Sequence, residues 1–169
     1  MNCVLACLAA RLILPAALPA ATLEAGVAKA DITDYQAGPV NDPSFVKVLV
    51  LSDGSTPVVL ITVDAVALGQ IGRIGNGFVS AVRAGLQKEL GIPPSSVIIN
   101  ASHCHAIVRS DIERLTIDTV KEAWRKRVPA RAGAGRGQEN RISENRRLKM
   151  KDGSEVDVRR AYSMRATKM

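Results

Sequence analysis

Apolar and polar positions alternate through Ala25-Gly26-Val27-Ala28-Lys29-Ala30-Asp31-Ile32-Thr33, the period-2 pattern of a short strand. A Gly- and Pro-rich loop follows, through Pro43. Phe45 to Leu51 reads as a second strand and Val58 to Val63 as its return. Between them, Asp53-Gly54 supplies the positive φ angles of a tight hairpin. Val58 to Val63 is apolar on both faces, which predicts a buried central strand. The period then changes. Ile71, Ile74, Phe78, Val82, Leu86 and Leu90 recur at spacings of three and four, one face of a helix that Gly91 caps and Pro93-Pro94 stops. Gly69, Gly72, Gly75 and Gly77 precede it. They match neither a dinucleotide fingerprint nor a P-loop, and read as a flexible loop and frayed helix start. Val97 to Asn100 is a further buried strand, so strand, helix and strand form a βαβ unit with parallel strands.

A second helix is predicted from Ser110, where Ser110 and Glu113 have capping-box spacing. Ile112, Leu115, Val120, Ala123 and Trp124 line its buried face, and it ends near Arg127, before Pro129. Ala130 to Gly137 alternates like a strand. Arg147 to Met150 and Glu155 to Val158 flank a second Asp-Gly turn, and after Tyr162 the pattern dissolves. The fold class is therefore α/β: a mixed sheet with βαβ units and β-hairpins, and helices packed on the sheet. Only 3% of residues are aromatic, so the core must be built from Val, Ile, Leu and Ala.

Residues Val4 to Ala21 are nearly all apolar or small, interrupted by Arg11 and two prolines. A spanning helix needs about 20 apolar residues without a charge. Residues 1–24 therefore read as a signal peptide, with Ala20 and Ala21 near the cleavage point, and the protein as secreted or periplasmic. An ordinary apolar leader is the alternative. Cys3 and Cys7 lie in this leader, leaving Cys104 alone beyond it, so cysteine usage does not bear on export.

The net charge of +7 is uneven: Ile112 to Met169 holds 16 Lys and Arg against 8 Asp and Glu. With few aromatics to stack on bases, this half reads as a solvated basic face. Specific nucleic-acid binding is not expected, and peripheral contact with an anionic membrane surface stays open.

The two histidines of the chain stand one residue apart, in Asn100-Ala101-Ser102-His103-Cys104-His105. In an extended backbone, residues i and i+2 point to one side. Two imidazoles so placed can reach one metal ion, or one can bind metal while the other serves a substrate. The bland alternative is two polar loop residues. The location favours chemistry, because sites in open α/β sheets gather at the carboxyl ends of strands. Cys104, between them, is expected to be a small buried apolar residue. Asp64 also follows a strand, and is either a site carboxylate or a cap.

Several segments, in order, resemble the neutral/alkaline ceramidases. They are Ala25 to Thr33, the hairpin ending in Thr62-Val63-Asp64, and Gly91-Ile92-Pro93 leading to Asn100-Ala101-Ser102-His103-Cys104-His105. Pro129-Ala130-Arg131 and Glu144-Asn145-Arg146-Arg147 followed by Lys151-Asp152-Gly153 complete the series. The resemblance covers 25–162 as the N-terminal domain of that family, in partial form, with 163–169 as an irregular tail. It implies a zinc-dependent amidohydrolase acting on an N-acyl amide such as N-acylsphingosine. It implies His103 as a zinc ligand, His105 as the imidazole that faces the substrate carbonyl, and Arg146 as a cation near the substrate.

The sequence also departs from the family. Cys104 stands for a threonine, and Ala106-Ile107-Val108 for Ser-Gly-Pro. The family's other zinc ligands, a histidine, a glutamate and a tyrosine, have no match within these residues, so the domain is expected to be incomplete and the isolated chain inactive. The alternatives are a non-catalytic degenerate paralogue, or a basic module for anionic membrane surfaces or nucleic acid.

Overall fold

β-branched and aliphatic residues set the sheet, because their side chains pack well on a pleated surface. The computed structural model describes residues 22–141 and 147–157. Strands β1 (Glu24–Asp31), β2 (Phe45–Ser52) and β3 (Pro57–Val63) form an antiparallel meander. Helix α1 (Phe78–Leu90) and a short 3-10 turn (Pro94–Ser96) lead to β4 (Val97–Ala101), which pairs with β3 in parallel. Helix α2 (Ile112–Arg125) returns across β1 and β2. It hands the chain to β5 (Val128–Pro129), antiparallel to β1. The strand order is β4-β3-β2-β1-β5, the mixed sheet with helices packed on it that the hydrophobic pattern implies.

One face of the sheet carries the core. Val46, Val48 and Val50 of β2 and Val59, Ile61 and Val63 of β3 are buried with Val82 and Leu86 of α1 and Val120 and Ala123 of α2. Two glycines set how closely the layers approach. A Cβ on Gly26 would lie 2.0 Å from the Ala123 carbonyl oxygen, so β1 can pass beneath α2 only with hydrogen at this position. A Cβ on Gly85 would lie 2.5 Å from Ile117 Cδ1, the end of a side chain that can shift, so α1 approaches α2 closely here but under a weaker constraint.

Four local expectations need correction. Helix α1 starts at Phe78, not at Ile71. Gln70 and Gly72 take φ of 65° and 81°, outside the helical region. Ile74 is still buried from the loop, whereas Ile71 is 62% exposed. Helix α2 starts at Ile112, with Asp111 and not Ser110 at its N-cap. Asp111 takes both Nε and a terminal nitrogen of Arg109 at 2.9 and 2.8 Å, and Arg114 at 3.1 Å. The strand expected over Ala130 to Gly137 does not form; the two-residue strand at Val128–Pro129 precedes that segment. β3 is central, as its composition implies, yet it is covered on one face only: Val58 is exposed, and Leu60 and Thr62 are half-buried.

The chain divides between Ala132 and Gly133 into two units. Strands β1 to β5 and both α-helices lie in the first. In the second, β6 (Arg147–Lys149) and β7 (Glu155–Asp157) form an antiparallel hairpin. Asp152 Oδ1 accepts from the Ser154 amide at 2.9 Å to shape its turn. Among the described residues, no helix is long and apolar enough to cross a membrane.

Candidate functional site

Because β3 and β4 run in parallel, their carboxyl ends lie side by side, and the residues that follow each meet. The Ser102 amide donates to Val63 O at 3.0 Å, and Ser102 Oγ donates to Asp64 Oδ1 at 2.9 Å. Asp64 Oδ2 accepts from the Phe45 amide at 3.0 Å and from Lys47 Nζ at 2.9 Å. Asp64 thus ties together β2, β3 and the segment leaving β4. Partial burial pushes its carboxyl up. The Lys47 ammonium, the Phe45 N–H and the Ser102 hydroxyl outweigh that and hold it below the ordinary carboxylate value.

The chain turns immediately after this tie. His103 takes φ 63°, in the left-handed region, so the imidazole pair is not presented by the extended backbone that its spacing suggested. The turn sets the His103 and His105 rings edge to face, with centroids 5.0 Å apart and planes at 89°. His103 Nδ1 lies 3.0 Å from Val66 O. A carbonyl oxygen only accepts, so this contact places the proton on Nδ1 and leaves the Nε2 lone pair available in the neutral ring. Cys104 is exposed, not buried as expected, because the turn carries it away from the sheet.

His105 and Cys104 line a pocket of about 390 Å³ whose other wall is the loop after β1, including Ala37, Pro39, Val40 and Ser44. That loop is fastened to the segment after the histidines. The Asp34 amide donates to Ile107 O at 3.1 Å, and the Arg109 amide to Ile32 O at 2.8 Å. A second pocket of about 780 Å³ shares Thr33, Asp34 and Ala37 with the first, and is lined further by Tyr35, Arg73, Arg109, Ser110 and Asp111.

The structure therefore brings His103, His105, Asp64 and Ser102 to one sheet end. Arg146 lies outside the described residues. Ser102 and Lys47 went unassigned in the sequence, although Ser102 adjoins the histidines. Arg73 and Arg109 carried no signal, because no spacing links a glycine-rich loop to the entry of α2.

Zinc needs three protein ligands at a catalytic centre. Among the described residues, no group of three or more His, Cys, Asp and Glu side chains is placed to hold a metal ion. Asp64 is spent on Phe45, Lys47 and Ser102. Two imidazoles alone do not fit a zinc centre.

No protein-family model matches the chain. No curated protein matches it. Among solved structures, it is similar to the neutral ceramidase of Pseudomonas aeruginosa at 16% sequence identity and a TM-score of 0.51. That match covers 64% of this chain and 22% of the ceramidase. A ceramidase complexed with C2 is similar at 16% identity and a TM-score of 0.47, again over 64% of this chain and 22% of the other. The chain thus spans 22% of the length of the ceramidases it matches, and the likeness to the first is one of fold.

Proposed function

We propose that this chain is a ceramidase-related part of an amide-hydrolase site, in which His103 and His105 face the scissile amide of an N-acyl substrate. The observation that carries the reading is the imidazole pair on a turn at the carboxyl ends of β3 and β4, within a sheet whose fold is like a ceramidase's. Amide hydrolysis needs a base for the attacking water, a donor to the developing oxyanion and an acid for the leaving nitrogen. His103 offers Nε2, as a ligand or as the base that takes the proton of the attacking water and returns it to the leaving nitrogen, because Nδ1 is tied to Val66 O. His105, lining the pocket, is the donor to the carbonyl oxygen. Arg146 is the proposed cation beside it. The described residues do not fit zinc by themselves. The isolated chain is expected to bind zinc weakly and to turn over little.

The chain has two histidines, so their ring protons can be assigned from His103→Ala and His105→Ala alone. Adding a short-chain N-acylsphingosine should shift both ring signals, and unchanged signals would sink the reading. Zinc calorimetry and a fluorogenic acyl-sphingosine assay test the second part. Tight stoichiometric zinc, with turnover lost in His103→Ala, would show that the site is complete. The apolar residues Val4 to Ala21 are proposed to direct export. An intact N-terminus on protein isolated from the cytosol of its host would refute that.

A further inference from the structure

We propose that the pocket lined by Arg73 and Arg109 is a subsite for an anionic oxygen group, carboxylate or phosphate, on the ligand whose amide faces the imidazoles. The inference rests on the reading above and narrows its substrate class to N-acyl amides with an acidic head.

Three observations carry it. The first is continuity. Thr33, Asp34 and Ala37 line both the His105 pocket and the arginine pocket, so the two adjoin, and a ligand that passes these three residues reaches both. The second is the contrast between their walls. Pro39, Val40 and Ile107 near His105 are apolar and suit an acyl chain. Tyr35, Arg73 and Arg109 suit a polar head.

The third is the balance of donors and acceptors. Asp34 accepts from the Gln36 amide on Oδ1 at 3.0 Å and from Arg73 on Oδ2 at 2.6 Å. Asp111 accepts from Arg109 on both oxygens and from Arg114 on Oδ2. Each carboxylate oxygen in the pocket is therefore engaged. The guanidiniums are not spent to the same degree. A guanidinium carries five N–H donors in a planar fork. Among the described residues, Arg73 uses one terminal nitrogen on Asp34. Arg109 uses Nε and one terminal nitrogen on Asp111. Arg73 and Arg109 face Asp34 and Asp111, and Asp31 also acts on Arg109, so the pocket holds no excess positive charge; what it offers is guanidinium N–H donors beyond those these carboxylates take, which matches a group that is all acceptor. Both guanidiniums are about half exposed, so they can adjust to a ligand. The Arg109 backbone is held, its amide N–H donating to Ile32 O at 2.8 Å.

The test titrates the full chain by calorimetry, at one ionic strength, with three amphiphiles of equal acyl length: N-octanoylglycine, N-octanoyl-O-phosphoethanolamine and the neutral N-octanoylethanolamine. At least one acidic ligand should bind about tenfold tighter than the neutral one, and which of the two leads identifies carboxylate or phosphate as the source. Arg73→Gln and Arg109→Gln should each remove most of that preference, and Arg73→Lys, which keeps the charge without the fork, only part of it. Arg114→Gln is the control, because Arg114 also pairs with Asp111 but does not line the pocket; it should leave the preference intact. Equal affinity for all three ligands, no binding of any, or a preference that survives both glutamine variants would overturn the subsite. An arginine-dependent preference with His105 ring signals unmoved by the ligand would uphold the subsite and refute the amide-hydrolase reading instead.

Discussion

The two faces of the central sheet are built from the same strands and differ in everything else. On one, Val46, Val48, Val50, Val59, Ile61 and Val63 lie beneath α1 and α2, with Val48 the most exposed at 4%. On the other, Val27, Leu49, Leu60 and Ile98 stand opposite one another in a row across four strands. Val27 is 65% and Ile98 53% exposed among the described residues. The next row on that face is polar: Lys29, Lys47, Thr62 and Asn100. Thr62 Oγ1 and Asn100 Oδ1 are 3.1 Å apart. Near-continuous apolar strands belong to sheets covered on both faces. Here one layer of helices covers one face, and the tie from Asp64 to Ser102 and Lys47 sits at the polar end of the other. The site thus lies where the apolar run gives way to polar residues, at the carboxyl ends of β3 and β4.

The contrast breaks most sharply at adjacent residues. Ile61→Ala on the covered face should cost about 2–5 kcal/mol, transfer plus cavity. Leu60→Ala on the open face should cost less than about 1 kcal/mol, since little cavity forms beside solvent. Urea unfolding measures both, and equal costs would mean that the open face is packed in solution. Gly26→Ala comes next. Its Cβ meets the Ala123 backbone, which cannot rotate away, so a loss of about 1–3 kcal/mol is expected. The neighbouring Val27→Ala should change stability by about 0.5 kcal/mol or less.

A dye that fluoresces on exposed apolar surface sharpens the same comparison. The native chain should bind it, and Leu49→Lys with Ile98→Lys should remove most of the signal while leaving helix content unchanged. Retained signal would place the exposed apolar surface elsewhere.

Acid tests the polar end of the open face and gives the smallest effects. The Asp64 carboxyl is depressed in the folded chain, so its contribution is present above the ordinary carboxylate value of about 3.9 and is lost as pH falls through the lower folded value. Asp64→Asn should flatten this acid limb. Asp53, held at about 2 by the Thr56 and Ser55 amides and the Ser55 hydroxyl, adds a limb between about pH 4 and 2. That limb should vanish in Asp53→Asn without moving the Asp64 limb. Stability measured from pH 5 to 2 distinguishes the two, and an unchanged profile in both variants would remove carboxylate ties from the account of this hairpin.

Local chemistry in the sequence determined the elements and most of their order. Alternation marked β1, Asp53-Gly54 marked the hairpin, and the spacing of Phe78, Val82 and Leu86 marked α1 with Gly91 at its cap, where φ is 68°. These signals are short-range, and they act through steric limits on φ and through which face of an element is apolar. The histidine pair was legible for the same reason, as two imidazoles one residue apart. Tertiary structure decided what depends on distant partners. It tied the chain just before α2 to the end of β1, where the Arg109 amide donates to Ile32 O at 2.8 Å. It left one face of β3 open, because both helices pack on the other. It bent the chain at His103, gave Nδ1 to Val66 O, and brought Arg73 and Arg109 to one pocket that neither residue's neighbours foretell. Such pairings arise only when the sheet brings separate strand ends together, and no local pattern in the chain encodes them.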